Sequence, residues 1–161
     1  MKCPHCRAQM ETRRENHLYA ESGLPNVTLL DVEVRQCPRC GERAVAIPRI
    51  DELHRVLALA VIHKSARLAP QEVRFLRKYL GWSGSDFARH MGVAPETVSR
   101  WENGKEPMGP VADRLLRLMV AHGKPIEEYP LEALTGVAKD DAEPGRLEAF
   151  VHGSTWHAKA A

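Results

Sequence analysis

Residues 83–104 read SGSDFARHMGVAPETVSRWENG, and this stretch decides the fold of the C-terminal half. Ser83 can cap a helix, because Asp86 three residues later completes a capping box with it. Pro95 suits the first position of a second helix. Gly92 permits a tight turn between the two helices. The stretch therefore predicts a helix-turn-helix, two short helices joined by a turn.

The second of these helices has an inner and an outer face by helical spacing. Ala94, Val98 and Trp101 share the inner face, and Ala88 is small where the first helix must cross closely. Arg100 lies on the outer face, where it can form a bidentate pair with guanine in the major groove. The candidate DNA contacts on and after this helix are Glu96, Thr97, Ser99, Arg100, Asn103 and Lys105. The alternative is an ordinary solvated helix surface.

Two hypotheses are open for Glu96. Its carboxylate could accept a hydrogen bond from a cytosine amino group. It could instead orient Arg100, which lies one helical turn further along. Thr97 and Ser99 suit contacts to phosphate or to a thymine methyl group. The sequence does not decide between the two roles of Glu96.

Four cysteines form two CxxC pairs near the N-terminus, Cys3 with Cys6 and Cys37 with Cys40. Four thiolates complete a tetrahedron around one ion and leave no open position, which favours a structural zinc over a catalytic one. A redox dithiol and an iron site are the competing interpretations, since sulfur ligands also suit iron. Between the pairs, apolar and charged residues alternate over 30–35, which predicts a strand leading into the second pair.

Hydrophobic periodicity predicts a series of helices and a division of the chain. An amphipathic linking helix is expected over 49–65. Further helices are expected at 71–80, 83–91, 95–102, 109–121 and near 126–135. The predicted units are a four-cysteine zinc domain at 1–48, the linking helix at 49–68, a helix-turn-helix domain at 69–136 and an acidic, flexible tail at 137–161. The expected fold class is α+β, a small β-containing zinc module followed by an all-α helix-turn-helix domain.

Composition and charge narrow the class of protein. The 161 residues carry a net charge of +2, and residues 66–124 hold ten Lys and Arg against six Asp and Glu. A basic middle suits phosphate binding. The chain has no apolar run near the ~20 residues that span a bilayer, and its start has no apolar signal segment. We therefore expect a cytoplasmic protein with no membrane partner, in which reduced thiols bind metal.

The motif residues resemble a known family. Residues 80–83, 87–88, 92–93 and 98–104 together resemble the phage-repressor-like, or Xre-type, helix-turn-helix family. Combined with the two CxxC pairs, residues 1–122 resemble the MqsA antitoxins, also called YgiT-type zinc-finger proteins. The resemblance implies a homodimer that represses its own promoter by reading a palindrome, and whose zinc domain meets a ribonuclease toxin made from the same operon.

The resemblance also implies roles for individual residues. The arginine at Arg100 reads bases, and Glu102 pairs with Arg77, which makes that pair structural together with Ala88, Gly92, Val98 and Trp101. This chain departs from the family at Gly84, where a phosphate-contacting glutamine is common, and at Glu96, where a polar residue reads bases.

Other functions stay open at this point. The chain could be a stand-alone regulator with no toxin, or a protein-binding antitoxin without strong DNA binding. An enzyme is disfavoured, because no nucleophile and base stand at an instructive spacing. His152, Trp156 and His157 could suggest a second metal site, but a frayed terminus is the expectation.

Overall fold

A computed structural model describes residues 1–123 and 145–160. Strands and helices follow one another as an N-terminal β-region, a run of helices and a final hairpin. The strands are β1 (Glu11–Leu18), β2 (Val27–Gln36), β3 (Arg43–Ala46), β4 (Leu147–His152) and β5 (Thr155–Ala160), and the helices are α1 (Ile50–His63), α2 (Pro70–Tyr79), α3 (Gly84–Met91), α4 (Pro95–Glu102) and α5 (Pro110–Gly123). The expected α+β class, with strands and a cysteine cluster followed by helices, is confirmed.

The long strand β2 organises the sheet. It pairs antiparallel with β1 and with β3, and parallel with β4 through Val27–Leu29. The predicted strand over 30–35 is therefore confirmed within β2. The phase of the alternation changes along it, because the β1–β2 register shifts near Asp31, which has a φ of 49°. As a result Leu29, and not Leu30, is fully buried on the inner face.

The C-terminal hairpin corrects the expectation of a flexible tail. Residues 147–160 form β4 and β5, joined by a two-residue turn that begins at Gly153, where φ is 64°. Trp156 is 1% exposed, and its indole Nε1 donates to the carbonyl oxygen of Pro48 at 2.7 Å. The frayed-terminus expectation is therefore wrong for this stretch, because the hairpin packs on α1 and extends the sheet.

The helices lie close to their predicted positions. The linking helix is α1, and the helices expected at 71–80, 83–91, 95–102 and 109–121 are α2 to α5, with ends that differ by at most two residues. The helix expected near 126–135 falls outside the described residues. Among the helices of the described ranges, none is long and apolar enough to cross a membrane.

A buried ion pair joins the linking helix to α5. Arg117 and Asp113 are both fully buried, with Arg117 Nε 2.6 Å from Asp113 Oδ1. Arg117 donates to the carbonyl oxygens of Ile62 at 3.0 Å and Ala66 at 2.7 Å, and Asp113 accepts from the Leu68 backbone N–H at 2.7 Å. The two charges are tolerated inside the protein because each has hydrogen-bond partners. They fix the segment between α1 and α2 onto α5.

One buried apolar cluster continues through this junction. It includes Val27 and Leu29 of the sheet, Leu57 of α1 and Leu116 of α5. The sheet, α1 and the later helices share this cluster. The division of the chain into separate units stays a prediction. Cys3 and Cys37 form a second, small cluster with Met10, and Cys6 packs against it.

Candidate metal centre and recognition helix

The four cysteines converge on one point. Cys3 and Cys6 lie in the turn before β1, and Cys37 and Cys40 in the turn after β2. The Sγ atoms of Cys3 and Cys40 are 3.6 Å apart, those of Cys6 and Cys37 are 3.4 Å apart, and all four lie within 4.8 Å of one another. A tetrahedron with metal–sulfur bonds of about 2.3 Å has edges of about 3.8 Å. The donor set therefore has the size and shape to bind one metal ion.

The two cysteine turns are built alike. In each, the first cysteine accepts at its carbonyl oxygen from the backbone N–H four residues on, and donates its own N–H to the carbonyl five residues on. The donors are Arg7 at 2.9 Å and Gly41 at 3.0 Å, and the acceptors are Ala8 and Glu42, both at 2.8 Å. Arg7 and Gly41 both have positive φ, 61° and 77°. Glycine serves that conformation without strain, whereas the first turn holds an arginine in it.

The surroundings of Cys37 and Cys40 shift the pKa values of these two thiols in opposite directions. The backbone N–H of Cys40 donates to the Cys37 sulfur, and with the N–H of Arg39 it lowers the pKa of the Cys37 thiol to about 6. The backbone N–H of Glu42 lowers the pKa of Cys40, but burial and hydrogen bonds with the other thiols outweigh it and raise that pKa to about 12. A metal cation at the centre would stabilise all four as thiolates.

The helix-turn-helix has the local chemistry that the sequence predicted. The Ser83 hydroxyl accepts from the Asp86 backbone N–H at 3.1 Å, and Asp86 Oδ2 accepts from the Ser83 N–H at 3.0 Å. Hydrogen bonds from the Ser83 side chain and backbone hold the pKa of Asp86 below its usual value. Gly92 ends α3 with a φ of 67°, and Val93 N–H donates to Ala88 O at 3.0 Å across the turn. This capping box and turn set the approach of α4 to α3.

The inner face of α4 packs on the core. Val98 is 3% and Trp101 is 6% exposed, and Trp101 meets the ring of Phe87 edge-on at 6.3 Å. Ala94 was expected on the same face, but it is exposed. It precedes the helix as its N-cap with an extended backbone, so helical spacing does not apply to it.

An ion pair between α2 and α4 fixes the C-terminal end of α4. Arg77 Nε is 2.5 Å from Glu102 Oε1, and Arg77 Nη2 donates to Glu102 Oε2 at 3.1 Å. Arg77 also donates to the Trp82 carbonyl oxygen at 2.8 Å. Both side chains of the pair are mostly buried, 13% and 9% exposed. This bidentate contact is the one that the family resemblance implied.

Comparison with known proteins agrees with this geometry. The sequence matches the family described as the antitoxin component of a bacterial toxin–antitoxin system, MqsA, over residues 1–129. The chain belongs to the MqsA antitoxin family. The match includes both cysteine pairs and α1 to α5, so the resemblance inferred from the motifs is confirmed. No curated protein and no solved structure matched the chain.

Membership in the MqsA family supports two general statements about function. An antitoxin acts with a toxin partner, and a family of antitoxins favours the interpretation that the chain is not an enzyme.

The C-terminal hairpin lies beyond the matched residues, although it forms part of the same sheet as the N-terminal strands. In the described ranges, the cysteines are the only group of three or more potential ligands close enough to hold a metal ion, so His152 and His157 do not form a second such group.

The predicted DNA contacts of this MqsA-family chain lie on or just after α4. Glu96, Ser99, Arg100, Asn103 and Lys105 are exposed, and Thr97 is half-buried. Arg100 Nη1 lies 3.5 Å from Glu106 Oε2, so the carboxylate beside Arg100 is that of Glu106 and not that of Glu96. Glu106 was not predicted from the sequence, because it lies beyond the helix, where helical spacing does not bring it to Arg100. Arg74 of α2, which contacts the end of α4, was not predicted either.

Proposed function

We propose that this antitoxin also represses its own operon, by binding operator DNA as a homodimer through α4. The observation that carries the proposal is Arg100, whose side chain is 55% exposed on a recognition helix otherwise packed by its inner face. In helix-turn-helix proteins the recognition helix lies in the major groove, and bidentate arginine–guanine contacts specify the base. The basic excess over residues 66–124 suits the accompanying phosphate contacts.

The test is a gel shift on the DNA upstream of the gene. Arg100→Ala should weaken binding by about 5- to 150-fold, the equivalent of about 1–3 kcal/mol for a bidentate base contact. Arg13→Ala is the matched control, because Arg13 has a similarly exposed side chain, 53%, and lies on β1 of the zinc module. Arg100→Ala binding as tight as that of the wild type contradicts the proposal.

Two further arms of the same experiment test phosphate contacts and symmetry. Binding should fall steeply with salt, because Lys and Arg contacts to phosphate release counterions. A dimer should bind a full palindrome, with half-sites about 34–36 Å apart, far more tightly than a single half-site. Val111 of α5 supports a dimer, since it is 80% exposed and shares a helix face with Leu115 and Leu118. Equal affinity for half-site and palindrome argues against the dimer.

For the metal centre we propose one structural zinc ion. Its support is the closed all-sulfur donor set, which leaves no position for a catalytic water. Iron is the competing metal, and metal analysis of the purified protein together with its visible absorption separates the two. Zinc has no visible absorption band, whereas iron bound by thiolates is coloured.

The toxin partner is proposed to be a ribonuclease that contacts the zinc module and α1. Family membership supports a toxin partner, and the ribonuclease type follows only from the earlier resemblance. Co-purification of the neighbouring gene's product with this chain, followed by a ribonuclease assay of that product alone, tests the proposal. If the chain captures the toxin but does not shift promoter DNA, it is a protein-binding antitoxin that does not repress.

A further inference from the structure

Asn103, at the C-terminal end of α4, has its side-chain amide bonded within the protein. Its Nδ2 donates to the Ser99 carbonyl oxygen at 2.8 Å and to Ser99 Oγ at 3.2 Å. Its Oδ1 accepts from Arg74 Nη2 at 3.0 Å. Both ends of the amide are therefore occupied, although the residue itself is exposed.

These bonds conflict with a base-reading role. An asparagine reads adenine by using its oxygen and its nitrogen together, against N6 and N7 of the base. The amide has one oxygen and two N–H donors, and Ser99 and Arg74 already engage both ends. Asn103 could read a base only by giving up its bonds to α2 and α4. Ser99 is less restricted, since its hydroxyl accepts from Asn103 and keeps its own O–H donor.

Arg74 connects this amide to a second helix. It lies on α2, and its Nη2 also donates to the Glu102 carbonyl oxygen at 3.1 Å, while its Nε lies 3.4 Å from Glu102 Oε2. The guanidinium thus sits against the last carbonyls of α4, where a helix favours positive charge. Together with the Arg77–Glu102 pair, it ties the end of the recognition helix to α2 at two neighbouring points. Two of the three guanidinium nitrogens, Nε and Nη2, are therefore engaged within the protein.

We infer that Asn103 and Arg74 are positioning residues for DNA recognition. They hold the last turn of α4 on α2, so that Arg100, three residues before Asn103, is presented to the major groove, and neither contacts base or phosphate. The base-reading surface is then the exposed face of α4 that carries Glu96 and Arg100. The inference rests on the proposed binding of operator DNA through α4.

The test is a double-mutant cycle on the full chain, with operator affinity measured by fluorescence anisotropy. The variants are Asn103→Ala, Arg74→Ala and the double variant, and each urea midpoint is measured beside the affinity so that a loss of fold is recognised. Each single variant should weaken binding by about three- to tenfold, and the double variant by less than the product of the two factors, because the residues share the Arg74–Asn103 hydrogen bond. Base preference, measured with single-base operator substitutions, should stay that of the wild type. Lys78→Ala, the same charge change on an exposed lysine of α2, is the matched control.

Three results would overturn the inference. A change of base preference at one operator position in Asn103→Ala would identify a base reader. A salt slope reduced by about one in Arg74→Ala, but not in Lys78→Ala, would identify a phosphate contact. Additive losses in the double variant would show that the two residues act independently. If any of these results is found while operator binding still depends on Arg100, only the inference is overturned. If the wild-type protein binds no operator, the proposed function is overturned and the inference with it.

Discussion

Replacing Trp156 by alanine should destabilise the whole protein, although Trp156 lies only five residues from the C-terminus. Its side chain is 1% exposed and donates to the Pro48 carbonyl oxygen, so the variant leaves both a cavity and an unpaired carbonyl. A buried tryptophan removes about 150–250 Å² from water, which at about 25 cal/mol per Å² is worth about 4–6 kcal/mol as an upper bound. Measured Trp→Ala losses in protein cores are about 3–5 kcal/mol. We expect a loss in that range.

Urea unfolding followed by far-UV circular dichroism measures this loss. With a slope of about 1–3 kcal/mol per molar urea, the midpoint should fall by about 1 M or more. Two variants serve as controls. Trp156→Phe keeps most of the apolar area and gives up the hydrogen bond, at a cost of about 1 kcal/mol. Phe150→Ala changes a half-buried ring that stacks on His157 and should also cost less than Trp156→Ala. A Trp156→Ala midpoint equal to that of the wild type would refute the reasoning that the hairpin belongs to the core.

Metal removal and the buried ion pair give the remaining predictions. Because Cys3 and Cys37 lie in a small cluster apart from the main core, a chelator should remove hydrogen-exchange protection from the cysteine turns while the helices stay protected. Loss of protection throughout the chain contradicts this expectation. Arg117→Met should lower the free energy of unfolding by about 3–5 kcal/mol, because it leaves the Asp113 carboxylate buried and unpaired. The double variant Arg117→Met with Asp113→Leu should recover part of that loss. A double variant that is less stable than Arg117→Met alone would contradict the explanation that the loss comes from an unpaired buried carboxylate.

Local patterns in the sequence predicted most of the helical half correctly. The cap at Ser83, the turn at Gly92 and the buried Val98 and Trp101 are signals that act within a few residues, so each can be recognised before the fold is known. The two CxxC pairs are similar, because each turn forms by itself and only the joining of the two needs the intervening strands. Ala94 was misplaced because helical spacing was extended one residue past the start of the helix.

Contacts between distant segments were not predictable in this way. The parallel pairing of Val27–Leu29 with Leu147–Ala149 joins residues about 120 positions apart. The C-terminal hairpin becomes part of the core only through its contact with β2, and that contact leaves no local pattern in the sequence. The same holds for Arg117, whose acceptors are backbone carbonyls of the α1–α2 segment and therefore leave no mark in residue type. Asn103 is an example in which a long-range contact changes a predicted functional role. Its outward position on α4 suggested a DNA contact, and only the bonds to Ser99 and Arg74 show what its amide is bound to.

Helix α4 and the cysteine turns are connected through α1. The cysteine turns flank β1 and β2, and the inner face of β2 shares its apolar cluster with α1, which Arg117 ties to α5. A partner that binds the cysteine turns and shifts α1 therefore acts on residues that share a core with α3 and α4. Packed cores respond to such shifts as discrete rearrangements more readily than as continuous deformations. On this basis toxin binding and operator binding should affect one another, and by linkage the factor by which toxin changes operator affinity must equal the factor by which operator changes toxin affinity.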